Sequence, residues 1–532
     1  FSQNYGLPCC VSIGTEVIVL GTSFGYTVVF DTAQNIRCVL GSDLQEWATH
    51  PGAMTCVCVD KNDHWALCGY TGGSLVIWDL HRRCEVKSMK TAHKQPVAYA
   101  VWLEPETLFL SGDVSGHIFI HRIGTLLFRL TVKSTELNIP MDLHPLDVVP
   151  FTPRFPISTT EAVPGSTASS KNKASLLAQH HPLAPLLLVA MSTPEKYVIW
   201  SLAGGAGLLL HVGALPIDLE MRQKQRQFSN APSVALPVMS WRPMDCCSSE
   251  VDPVLAVCFC GVVQFIRVES QQRTLRGQGF RKQDWEEDNQ DFVSHSEASL
   301  LRFIPVTETS LGKEILAIHW IAERLLLCLM EDSTVVCLDF LFLEAVDHSK
   351  PISATLAFHE LFGQSLHSYR FSTVGTPNGL YVLGKKDLFS CRVIHWDDRL
   401  ANLVDQQRWK EALQLASDFH QNRAKGSLGL PADPRQVCTL TREKLREILH
   451  LYLDEHLSHR SLDSVASLDA ISEAARTVTK YCVLIGDIEF LFGRAVVLFD
   501  KATHALSDLL TAGDYQNGGD LICDALLPYI LA

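Results

Sequence analysis

A chain of 532 residues is long for one ordinary domain, so three or four domains or one large repeat unit are expected. Apolar residues make up 47% and charged residues 19%, which excludes a mainly disordered chain and predicts an extensive buried core. The net charge of −13 argues against nucleic acid as the main partner, because phosphate contacts need clustered Lys and Arg.

The most apolar run, Leu183 to Met191, is half the length of a bilayer span and contains Pro185, so no membrane-spanning segment is expected. The 17 cysteines are scattered at apolar positions such as Val57-Cys58-Val59, and no N-x-[ST] sequon occurs. Both features fit a reduced, intracellular chain with core thiols. Phe1 at one end and Leu531-Ala532 within an apolar stretch at the other read as the ends of a fragment, in which missing targeting signals carry no meaning.

Three early segments superimpose on one another: Val17 to Asp31, Trp65 to Asp79 and Leu108 to His121. Each is an apolar strand, a short turn bracketed by glycines four apart, and a second apolar strand. The glycine pairs are Gly21 and Gly25, Gly69 and Gly73, Gly112 and Gly116. A tight turn needs a residue at positive φ, which glycine adopts without steric penalty. The starts are separated by 48 and then 43 residues, close to the roughly 40–45 of a four-stranded propeller blade. Strands apolar on both faces fit small sheets packed between two neighbours.

Later units keep the strands and lose the glycines: Leu186 to Leu202, Val254 to Val268, Leu325 to Phe340 and Leu380 to Trp396. The expectation is a WD-like β-propeller of seven blades over residues 1–396. Polar insertions near 152–181 and 270–299 stretch the later spacings and read as surface loops.

At Trp396 the period changes. Leu400 to Phe419 repeats apolar residues at three and four, which is helical. Gly426 and Gly429-Leu-Pro431 end a first pair of helices. Thr441 to Leu457, Leu468 to Ile485, Ile488 to Leu510 and Leu521 to Leu531 continue the series. Consecutive amphipathic helices without strands predict the start of an α-solenoid over 397–532. Trp409, Ala412, Leu413, Ala416 and Phe419 form one helical stripe, read as internal solenoid packing.

The candidates for chemistry are weak. Gly21-Thr22-Ser23-Phe24-Gly25 matches the G-x-S-x-G string, yet that motif requires a strand-to-helix turn and a strand follows here. Cys56-x-Cys58 and Cys258-x-Cys260 lack the partner pair and spacing of tetrahedral zinc, and adjacent Cys9-Cys10 and Cys246-Cys247 add none. His180-His181 offers too few ligands for a closed metal site. Gly204 to Gly207 lacks the spacing and lysine of a phosphate loop, and the basic run Arg222 to Arg226 reads as solvated loop. No catalytic residue, cofactor or metal is expected, and the sequence marks no partner-binding residue.

Several segments carry a resemblance. They are Gly6-Leu-Pro8 through Gly25, Val29-Phe-Asp31 and Val39-Leu-Gly41; Cys68 to Leu80 followed by Thr91-Ala-His93; and the exit Asp398-Arg-Leu, Leu403-Val404, Glu411 to Ala416, Phe419 and Ala424 to Pro431. In these the chain resembles the vacuolar protein sorting family whose members are the subunit specific to the CORVET endosomal tether. Blades four to six are too diverged to align, and the family's carboxyl-terminal RING-type zinc domain has no counterpart, since no C-x-x-C pair occurs.

The resemblance implies a non-catalytic scaffold for vesicle tethering, fusion and protein transport to the vacuole or lysosome. It implies as partners an active Rab-family GTPase of early endosomes and the other CORVET or class C tether subunits. It also implies peripheral association with endosomal or vacuolar membranes from the cytoplasm. A HOPS-type tether, a coat protein or a ciliary transport subunit shares the propeller–solenoid plan. A propeller enzyme would need convergent polar residues on inner strands that instead read Val, Leu, Cys and Ile. A ubiquitin ligase role would need a zinc domain outside these residues.

Overall fold

Two compact units emerge, Phe1–Val393 and Ile394–Ala532. The computed structural model describes residues 2–532 apart from 42–50, 138–146, 152–182, 217–236, 244–251, 271–300, 458–465, 510–522, 527–532 and breaks of four residues or fewer. The two polar insertions therefore lie outside the described residues except Ser270, which ends a strand (Val262–Ser270). His180-His181, Cys246-Cys247 and Arg222 to Arg226 also lie outside them.

The first unit is a seven-bladed β-propeller. Six blades, at residues 8–40, 54–89, 97–136, 147–214, 238–310 and 315–348, are four-stranded antiparallel sheets in sequence order. The seventh, 373–392, has three strands among the described residues. The first strands of successive blades abut around the ring for pairs 1–2, 2–3, 4–5, 5–6, 6–7 and 7–1, so they are the innermost.

Each strand pair read from sequence is the second and third strand of a blade. Those strands are buried on both faces, as in Val17–Thr22, Trp65–Tyr70 and Leu325–Met330, so they are continuous apolar runs. The fourth strands face solvent on one side. Ile36–Leu40, Cys84–Met89 and Leu208–Ala214 mix exposed with half-buried positions and give no apolar run. The first strands mix buried with half-buried positions, as in Pro8–Ile13, Met54–Val59 and Ile315–Trp320.

The second unit is a series of helices: α1 (Trp396–Asp405), α2 (Trp409–His420), α3 (Pro434–His456), α4 (Ala466–Ile485) and α5 (Val496–Leu509), the last preceded by a π-helical turn, Phe490–Ala495. One apolar core runs through it. Ala412, Leu413, Ala416 and Phe419 of the expected stripe are buried there, and Trp409 is half-buried with its ring 6.2 Å from Tyr452.

Two expectations are corrected. Helix α3 starts at Pro434 rather than Thr441. Proline suits the first helical turn because its missing N–H has no partner there anyway, and the opening turns are too solvated to show an apolar period. Helices α1 and α2 stop at Gln407 and Asn422, both at positive φ, with Arg408 N–H donating to Leu403 O and Arg423 N–H to Asp418 O. Gly426 and Gly429 lie beyond, in the loop.

Candidate functional site

A buried, hydrogen-bonded cluster of titratable side chains lies in blade 3, and it grows from the turn chemistry. The turn after Leu108–Asp113 closes with Gly116 at φ +88°, and Gly116 N–H donates to Asp113 O at 3.0 Å. Asp113 is buried, and its Oδ1 accepts the backbone N–H of Ser115 at 2.9 Å and of His117 at 3.1 Å. Its other oxygen, Oδ2, lies 3.3 Å from His93 Nδ1. His93 arrives on the loop between blades 2 and 3, where its N–H donates to Gly73 O at 2.9 Å.

From His93 the chain of hydrogen bonds continues across blade 3 toward its outer strand. His93 Nε2 is 2.7 Å from Ser111 Oγ, Ser111 Oγ is 2.7 Å from His121 Nε2, and His121 Nδ1 is 2.8 Å from Ser134 Oγ. Proton supply fixes one direction. An ionised carboxylate only accepts, so His93 Nδ1–H donates to Asp113 and His93 Nε2 accepts the Ser111 proton. Ser111 then accepts from His121 Nε2–H, and His121 Nδ1 accepts from Ser134. Every group is satisfied once with both imidazoles neutral. Burial lowers the pKa of His93 against the pull of Asp113, and burial with neighbouring His93 holds His121 at about 3.

Asp113, His93 and Ser111 thus have the connectivity of a hydrolytic triad, without its access. Ser111 is 0% exposed, and its Oγ already accepts from His121 Nε2–H. A nucleophile must reach a carbonyl carbon, and this one reaches none. The network instead pins the blade 2–blade 3 loop to three strands and a turn of blade 3. His93 and the span Gly112 to His121 were visible in the sequence, but their mutual contact was not. An aspartate inside the glycine-bracketed turn, with a histidine ahead of the blade, was the available signal.

A second device repeats around the ring. Trp102, Trp241 and Trp320 end the first strands of blades 3, 5 and 6. Each indole N–H donates to a carbonyl on the first strand of the preceding blade: Cys58 O at 2.9 Å, Val149 O at 3.0 Å and Ser240 O at 3.1 Å. These buried donors are satisfied only when neighbouring blades are in register.

The glycine pairs divide into two roles. Gly25, Gly73 and Gly116 occupy positive φ in the turns, whereas Gly21, Gly69 and Gly112 lie within strands. A Cβ at Gly69 would fall 2.6 Å from Cys56 Sγ and 2.7 Å from Val97 Cγ1, and one at Gly21 would meet Met54 and Cys10. The strand glycines make room for side chains.

Ser23 sits in a strand-to-strand turn, its Oγ accepting Leu7 N–H at 2.9 Å, so the G-x-S-x-G string lacks the context of a nucleophile elbow. Burial pushes the thiols of Cys56 and Cys68 up to about 12 and raises that of Cys258, so they are neutral core groups. Gly207 leads into the outer strand of blade 4 with the Trp200 ring beside it. Among the described residues no three His, Cys, Asp or Glu side chains gather as metal ligands, and no helix is long and apolar enough to cross a membrane.

These features define a seven-bladed propeller joined to a helical unit, with the blade 3 network and three indole bonds tying loops and neighbouring blades together. The chain belongs to the Vps8 beta-propeller family, whose model matches residues 1–391. It is 21% identical to the vacuolar protein sorting-associated protein 8 homologs of Mus musculus, over 546 residues, and of Homo sapiens, over 548. Each alignment covers 99% of this chain and 33% of the relative, so the chain spans about a third of their length. Among solved structures, the Cps50 (Swd1) β-propeller domain of Myceliophteria thermophila aligns at 10% identity with a TM-score of 0.44, covering 73% of this chain and 98% of that one.

Proposed function

We propose that this chain is a non-catalytic scaffold of an endosomal tethering complex of the CORVET type, acting in vacuolar protein sorting. The observation that carries this reading is the family match over residues 1–391, extended by vacuolar sorting homologs aligned to 99% of the chain. The blade 3 network supports the non-catalytic part, because this cluster with the connectivity of a triad is buried among the described residues.

In this reading the propeller presents rigid loops to an active Rab-family GTPase of early endosomes. Selectivity for the GTP form follows from the switch segments, which the γ-phosphate orders and hydrolysis releases. The helical unit begins an α-solenoid whose surface receives other class C tether subunits. Tethering follows from holding the GTPase and the partner subunits at once, with the protein peripheral on the cytoplasmic face of endosomal or vacuolar membranes.

The test is retention of this chain by endosomal and vacuolar Rab GTPases, each loaded with GDP or a non-hydrolysable GTP analogue. GTP-dependent retention by the early-endosomal member alone is the expected result. Retention by the late member instead would replace this reading with a HOPS-type tether. No retention by any member would remove GTPase recognition from these residues.

A further inference from the structure

We propose that the short 3-10 turn Arg370–Ser372 is an axial strap that closes the propeller ring in place of an exchanged strand. Every blade is built from strands consecutive in sequence, so among the described residues no strand from the start of the chain pairs into blade 7. The ring must close by side-to-side packing of blade 7 on blade 1. That seam is thin. Among the described residues it holds four buried apolar side chains, Val11, Ile18, Leu20 and Leu383, against thirteen between blades 1 and 2.

Phe371 ties the lead-in of blade 7 to the ring at places other than the seam core. It packs against three separate cores, those between blades 1 and 2, blades 2 and 3, and blades 3 and 4. Each core is a wedge between neighbouring blades, and three successive wedges converge only near the axis. The turn also packs on the first strands of blades 1 and 2 and leads straight into that of blade 7, Thr373–Thr376. One ring, carried by the lead-in to the last blade, therefore touches blades on the far side of the seam. The ring is half-buried, with the Arg370 guanidinium 5.3 Å from its centroid. On the other side of blade 7, His319 Nε2 meets Thr373 Oγ1 at 2.9 Å, so the strap is anchored at its base to blade 6.

The strap makes the seam the element whose opening depends on one side chain. Native-state hydrogen exchange on the full chain reads this directly, because exchange reports local opening strand by strand. In Phe371→Ala, amides of the seam strands Pro8–Ile13 and Thr373–Thr376 should exchange about tenfold or more faster, since a large-to-small change at a packed aromatic removes contacts that the surroundings cannot refill. Amides of Val254–Phe259 in blade 5, which Phe371 does not touch, should keep their wild-type rates. Phe371→Leu retains most of the apolar volume, so it should show the same localisation with a smaller acceleration, and it carries the test if the alanine variant fails to fold. Equal acceleration in blade 5, or unchanged rates at the seam, overturns the proposal.

Discussion

Blades 1 to 3 and blade 6 make the same turn between their second and third strands with different residues. In the first three the N–H of Gly25, Gly73 or Gly116 donates back to Thr22, Tyr70 or Asp113 at 3.0–3.1 Å. In blade 6 Ser333 N–H donates to Met330 O at 2.9 Å, and Ser333 holds φ +61° where the others have glycine. Serine is tolerated there at a local steric cost of about 1 kcal/mol. The partner position differs in kind. Where blades 1 to 3 have strand glycines under side chains such as Met54, Val97 and Tyr99, blade 6 has the fully buried Leu329. Two glycines four apart are thus two independent devices, one for backbone conformation and one for space.

The largest effects should come from exchanging the space-making residues. Leu329→Ala removes a buried side chain and should lower the stability of the propeller by about 3 kcal/mol in urea unfolding followed by tryptophan fluorescence. Gly69→Ala should lower it by about 2 kcal/mol, because its Cβ overlaps Cys56 and Val97. A neutral Gly69→Ala would show that the strand glycines are not there for packing.

Blade 3 differs from blade 6 in its histidines, and acid should expose the difference. His121 titrates at about 3 when folded against an ordinary 6.5, so the unfolded chain binds the proton first. Its stabilising contribution is complete above pH 6.5 and is lost as pH falls toward 3. Between pH 7.5 and 5.5 this one group accounts for a loss of about 1.4 kcal/mol. His121→Gln should flatten that part of the stability–pH curve. An unchanged slope would remove the buried histidine from the account.

The smallest effects concern the turn itself. Ser333→Gly should raise stability by about 0.5–1 kcal/mol, and Gly25→Ser should lower it by about 1 kcal/mol. Equal and negligible shifts in both would mean that positive φ is not what selects glycine in blades 1 to 3.

The number of blades, their middle strands and the change to helices near Trp396 were all legible before any coordinates. The reason is burial: a strand covered on both faces must be apolar throughout, and a helix with one covered face must repeat at three and four. The outer and inner strands were not legible, because half-exposed strands have no such constraint. The helix ends at Gln407 and Asn422 were missed because neither is the glycine that usually marks a stop.

The amino-acid sequence by itself determined the repeat, the period and the resemblance to a sorting family. Only the tertiary structure decided what the polar residues do. His93 finds Ser111 and Asp113 from the loop ahead of blade 3, and three tryptophans find carbonyls 44, 92 and 80 residues away. Phe371 finds three cores at once. Burial acts on every residue of an element and leaves a period along the chain. A hydrogen bond or a packed ring joins single residues far apart in sequence, and it leaves none.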